Sequence, residues 1–150
     1  MKVILFFVGH WFFSLFFQTF FLHRYAAHGM FKMSKFWERT FYILTYISQG
    51  SSFLNPRAYA IMHRMHHAYS DTPADPHSPV TSKTLPKMVL SMVGVYEKYL
   101  KRREEPPKEF VGGYPEWPIL DKMADLWWPR IIWGTAYSLF YIYFATEWWM

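Results

Sequence analysis

Residues 3–22 read VILFFVGHWFFSLFFQTFFL, twenty residues without a Lys, Arg, Asp or Glu. A helix of that length and composition matches the hydrocarbon thickness of a bilayer. Its notable polar residues are His10 and Gln18, and the hydrophilic chain begins at once with His23 and Arg24. A secretory leader fits poorly. The run is long, Lys2 is the only basic residue before it, and no small-x-small cleavage site follows.

Beyond this run the 150-residue chain is uneven in charge. Of 16 Lys and Arg, all but Lys2 lie between Arg24 and Arg130, so the net charge of +5 belongs to one central block. A basic block beside apolar runs fits the cytoplasmic side of membrane spans and needs no nucleic acid partner. A second strong apolar run covers residues 131–150, bracketed by Trp127-Trp128 and Trp148-Trp149 as an interfacial belt. Residues 36–54 form a weaker run containing Glu38, Arg39 and Gln49, which reads as an interfacial helix. Asn55-Pro56 breaks it, and Arg57 to Tyr69 reads as another helix. Prolines 73, 76 and 79 mark a loop, residues 83–105 carry an amphipathic period, and residues 106–118 read as a linker. With no cysteine, disulfides, iron–sulfur ligation and a Cys nucleophile are excluded. These patterns predict an all-α integral membrane protein of one domain, residues 1–150, with spans over 3–22 and 131–150. The region 23–130 is expected on the cytoplasmic face.

Seven histidines occur, and five lie in two clusters, His23/His28 and His63/His66/His67. Positions i, i+3 and i+4 share one helical face, so the second cluster offers a metal-binding edge. The alternative for that cluster is a basic helix face. In the first cluster, i and i+5 point about 140° apart on an ideal α-helix, so the helix must fray or turn for both to reach one metal. His10 lies too far back along the helix to join them and is expected to hydrogen-bond between helices. All-histidine sites suit zinc, copper, iron or nickel, and five ligands exceed what a structural zinc needs.

The two clusters read H-x4-H and H-x2-H-H. HRYAAH (23–28) after an apolar run, and HRMHHAYSDTPADPHSP (63–79), resemble the first two histidine boxes of the membrane fatty acyl-CoA desaturases of the stearoyl-CoA, delta-9 type. The resemblance covers roughly residues 1–80 and continues beyond them in hydropathy only. It implies a helical membrane protein whose cytoplasmic helical cap holds two iron ions, with His23, His28, His63, His66 and His67 as catalytic iron ligands. It also implies O2 as co-substrate, a fatty acyl substrate carried as acyl-CoA, contact with membrane lipid, and an external electron donor of the ferredoxin or cytochrome b5 kind. The family's third histidine box has no counterpart after His77, so the chain is expected to be an N-terminal portion of a longer enzyme, with its own activity in doubt.

Other residues carry two readings each. Asp71 and Asp75 orient ligand imidazoles, or they only build the turn. His77 contacts a ligand or the substrate headgroup, or it belongs to the loop. Arg24 and Arg64 pair with acidic neighbours or with the thioester headgroup. Lys98, Lys101, Arg102 and Arg103 form a solvated helix end near anionic lipid, or a dock for an acidic electron donor. Thr19, Phe16 and Phe12, counted back from His23 on one helical face, line an acyl tunnel or face lipid. Two function classes stand beside the desaturase: another histidine-box oxygenase, such as a hydroxylase or alkane monooxygenase, and an inactive fragment.

Residues 36–54 are expected not to cross the bilayer. A crossing between His28 and His63 would part the two clusters by about 30 Å. Cysteines placed at Ser34 and Asn55 should therefore label from the same side. Opposite accessibility would contradict a shared metal centre.

Overall fold

The computed structural model describes residues 1–145, and every regular element among them is helical. In chain order these are α1 (Lys2–Phe17), a π-helical segment (Gln18–Ala27), α2 (Lys35–Gln49), α3 (Pro56–Tyr69), α4 (Leu85–Leu100), α5 (Pro118–Ala124) and α6 (Trp127–Phe144). Short 3-10 turns occupy Gly50–Ser52 and Lys108–Phe110. The amphipathic stretch expected over 83–105 is helical only to Leu100, and the 106–118 stretch is more than a linker, because its turn buries Phe110. Residues 146–150, which include Trp148 and Trp149 of the expected belt, lie outside the described residues.

Two compact units result. One contains Met1–Phe21, Met33–Leu54 and the chain from Trp117 on; the other contains Leu22–Lys32 and Asn55–Glu116.

In the first unit α1 packs against α2 and α6. Phe6 meets Phe140 with ring centroids 4.0 Å apart. His10, expected as a hydrogen-bonder between helices, instead packs its ring against Tyr137 and Phe6, at 5.2 and 5.6 Å. The buried residues of α2 are Glu38, Tyr42, Thr45, Ser48 and Gln49, while Phe36, Trp37, Ile43, Leu44 and Ile47 are exposed. That reverses the usual arrangement of a surface helix in water. The inward polar groups are satisfied locally. Thr45 donates to the Phe41 carbonyl at 2.7 Å, Tyr42 donates to Asp121, and Gln49 accepts from the Leu54 N–H at 3.0 Å. Gly50 has φ +54°, a conformation that favours glycine, and a Cβ there would displace the Tyr137 hydroxyl. Lys2–Ala27, counted as one helix, is the helix among the described residues that is long and apolar enough to cross a membrane.

In the second unit α3 packs on α4 through Ala58, Ile61, Met62 and Tyr99. Asn55 caps α3 by accepting from the Ala58 N–H at 3.0 Å, and Pro56 opens the first turn, where it loses no helical hydrogen bond. Ala26, Ala27 and Ala60 are buried against one another, and their missing bulk lets the π-helical backbone approach α3 closely.

Candidate metal centre

The first histidine cluster does not fray. The helix widens to i→i+5 hydrogen bonding from Gln18 on, and the His28 N–H donates to the His23 carbonyl at 3.0 Å. A π-helical turn brings i and i+5 onto one side, where an α-helix would part them. The end of the segment is widened too. Gly29 (φ +58°) donates to Tyr25, and Met30 donates to Arg24 at 2.9 Å, each spanning one residue more than in an α-helical Schellman closure.

His63 and His67, one turn apart on α3, face the same point. His28 Nε2 lies 3.2 Å from His23 Nε2 and 3.0 Å from His63 Nε2, and His67 Nε2 lies 3.0 Å from His63 Nε2. Ligand atoms of all four residues fall within 4.8 Å of one another. An imidazole nitrogen offers either one N–H or one lone pair in the ring plane. His28 and His63 each face two partners, so these contacts cannot all be hydrogen bonds at once. One cation taking four lone pairs satisfies the whole set. Nitrogens about 2.1 Å from a metal and about 90–109° apart stand about 3.0–3.4 Å from each other, which is the spacing of the His23–His28, His28–His63 and His63–His67 pairs. Iron fits this all-imidazole donor set.

The electrostatics favour neutral rings. Burial, reinforced by the charges His23, His67, His28 and His66 would carry, holds the His63 imidazole at about 3. Burial also lowers His28, with His23, His67 and Arg64 adding to the effect. Tyr59 stacks on His63 with the rings 7° from parallel and 5.5 Å apart. His28 and His67 are exposed, so the group is open on one side.

His66 is not in this group. It turns to a second one with Asp75 and His77. Its Nδ1 stands 3.0 Å from both Asp75 carboxylate oxygens, and the His77 ring stacks on it at 4.0 Å. Asp75 also accepts from the backbone N–H groups of His77 at 3.0 Å and Asp71 at 3.1 Å. Burial pushes the Asp75 carboxyl up, but the hydrogen bonds from His77, His66 and Asp71 outweigh it and hold the group below its usual range. A neutral His66 that donates Nδ1–H to this carboxylate would carry its lone pair on Nε2, the form that binds metal. Asp71 meets no imidazole. It takes φ 61° and accepts from Ser78 at 3.2 Å, closing the loop.

The remaining residues are placed as follows. Arg24, Thr19, Phe16 and Phe12 are exposed. The face counted back from His23 presumes an α-helix, and the π-helical stretch breaks that register. Arg64 is half-buried, and its guanidinium is given over to backbone carbonyls where an acidic partner or the headgroup was expected. Of the basic patch, Lys98 pairs with Glu104, Lys101 with Glu97 and Arg102 with Glu116. Sequence reasoning missed Tyr59, the alanine contact and Gly29. The signals were the small residues between His23 and His28, Ala60 three residues before His63, and an aromatic one turn before His63 on α3.

A helical chain that gathers four imidazoles in this way is matched, in part, by enzymes of one kind. It is 38% identical over 72 residues to a hex-5-enoyl acyl-carrier-protein acetylenase of Moorena producens, covering 48% of this chain and 22% of the relative. It is 39% identical over 62 residues to Delta-9 desaturase-like 5 protein of Arabidopsis thaliana, covering 41% and 20%. It is 36% identical over 67 residues to an acyl-CoA C20 Delta5-desaturase of Anemone leveillei, covering 45% and 20%. The matched stretch thus spans about a fifth of each relative, and over it the chain is similar to fatty acid desaturases. No protein-family model matches the chain, and no solved structure does.

Asp75→Asn should weaken metal binding by about 10–100-fold while leaving helicity intact, because an amide no longer fixes the His66 tautomer. Metal titration checks this, and unchanged affinity would confine Asp75 to the loop.

Proposed function

We propose that the chain carries part of the iron centre of an O2-dependent fatty acyl desaturase. The single observation behind this is the convergence of His23, His28, His63 and His67 Nε2 atoms, drawn from a segment and a helix far apart in sequence. Similarity to an acetylenase and two desaturases supports the reaction class. Two irons are proposed, held by these four residues and by His66 through its Nε2. When bound, iron supplies the O2-dependent removal of two hydrogens from adjacent methylenes, chemistry no side chain here performs alone. Reducing O2 to two waters takes four electrons. The substrate gives two with its two hydrogens, and an external donor of the ferredoxin or cytochrome b5 kind gives the other two.

The chain's own residues position and tune. The π-helical turn aims His23 and His28, Tyr59 backs His63, and Asp75 keeps the proton of His66 on Nδ1. The substrate is proposed to be a fatty acyl thioester, acyl-CoA as for the Anemone leveillei relative, at a delta-9 position as the box sequences suggest. Lys2–Ala27 is proposed as a membrane span, with the metal-bearing residues at its cytoplasmic end. The outward apolar face of α2 supports contact with lipid.

His63→Ala in the complete protein expressed from its gene should lower bound iron and abolish unsaturated product. His10→Ala should leave iron unchanged. Metal analysis and product profiling check both, and wild-type iron in His63→Ala would remove that residue from the ligand set.

A further inference from the structure

Arg64 lies between His63 and the turn that carries His66 and His67, and its side chain leaves α3 for two other segments. Nε donates to the Ala27 carbonyl at 2.7 Å and Nη2 to the Ala26 carbonyl at 3.0 Å. Nη1 donates to the Phe110 carbonyl at 3.2 Å and the Gly112 carbonyl at 2.7 Å. The guanidinium sits 5.5 Å from the Tyr114 ring centroid. A guanidinium has five N–H donors in a rigid plane, and four of these are used here. The carbonyls of Ala26 and Ala27 belong to the residues just before His28, in a segment whose widened hydrogen bonding leaves its last carbonyls without the usual helical partners.

We propose that Arg64 is a positioning residue that locks the two histidine clusters in register. Its fork ties the backbone carrying His28 to the helix carrying His63 and His67, and fastens both to the 108–112 turn. The close alanine contact sets the distance between the two backbones, and the fork sets their rotation and slide. The His28–His63 approach of 3.0 Å depends on that register. This proposal rests on the metal reading of the four-histidine group. It also draws Arg64 away from the substrate, since four of its five donors are already taken.

Lysine keeps the charge and the apolar stem but cannot fork to four carbonyls. The test compares wild-type and Arg64→Lys proteins, with Arg64→Ala as a second variant. Each is titrated with Co2+ alone, following the visible ligand-field bands, and its helicity is read by far-ultraviolet circular dichroism. We expect wild-type helicity in Arg64→Lys, Co2+ affinity lowered about 10–100-fold, and altered bands, with Arg64→Ala weaker again. Wild-type affinity and bands in folded Arg64→Lys would overturn the clamp. So would wholesale loss of helicity in both variants, which would make Arg64 a residue of the fold at large. A wild-type protein that takes up no Co2+ would instead overturn the metal reading itself.

Discussion

Four imidazole nitrogens facing one another at hydrogen-bond distance cannot be satisfied by one another. Each has a single directional site in its ring plane, and the middle two, on His28 and His63, meet two neighbours each. Lone pairs that face one another at this distance repel, so the arrangement calls for something else to meet them. A shared cation does so, and burial favours it further by keeping His63 and His28 unprotonated. The rest of the histidine-bearing unit serves this convergence. The alanines let two backbones come close, the π-helical turn brings His23 and His28 to one side, and Asp75 settles the tautomer of His66.

The two units use polar groups in different ways. Around the histidines, polar atoms are spent on aiming side chains, as with Asp75 and Arg64. In the other unit they line the inward face of α2 and leave Phe36, Trp37, Ile43, Leu44 and Ile47 outside. A helix with its apolar face outward is at odds with water and at home against lipid. That is consistent with the long apolar Lys2–Ala27 helix.

Much of the helical layout was legible in the sequence. The apolar run at 3–22, the Asn55-Pro56 break and the period of residues 57–69 each carry a local signal, and the helices follow them to within a few residues. The grouping of His63 with His67 was legible because imidazoles at i and i+4 share a face whatever the tertiary context. Three features were not. A π-helix differs from an α-helix by one residue per hydrogen-bonded turn and has no composition of its own, so the expectation for His23 and His28 was a helix that frays or turns. His66 was grouped with His63 and His67 from spacing, yet a carboxylate nine residues on, placed by the loop, draws its Nδ1 away. The partners of Arg64 lie 37 to 48 residues distant, and such contacts leave no local trace.

The central claim is that His23, His28, His63 and His67 ligate one metal ion. The most direct measurement is iron K-edge X-ray absorption on the purified, iron-loaded protein, repeated on His67→Ala. The account predicts a coordination shell with the outer-ring scattering of several imidazoles, and one imidazole fewer in the variant. A shell without imidazole scattering, or one that His67→Ala leaves unchanged, would contradict it.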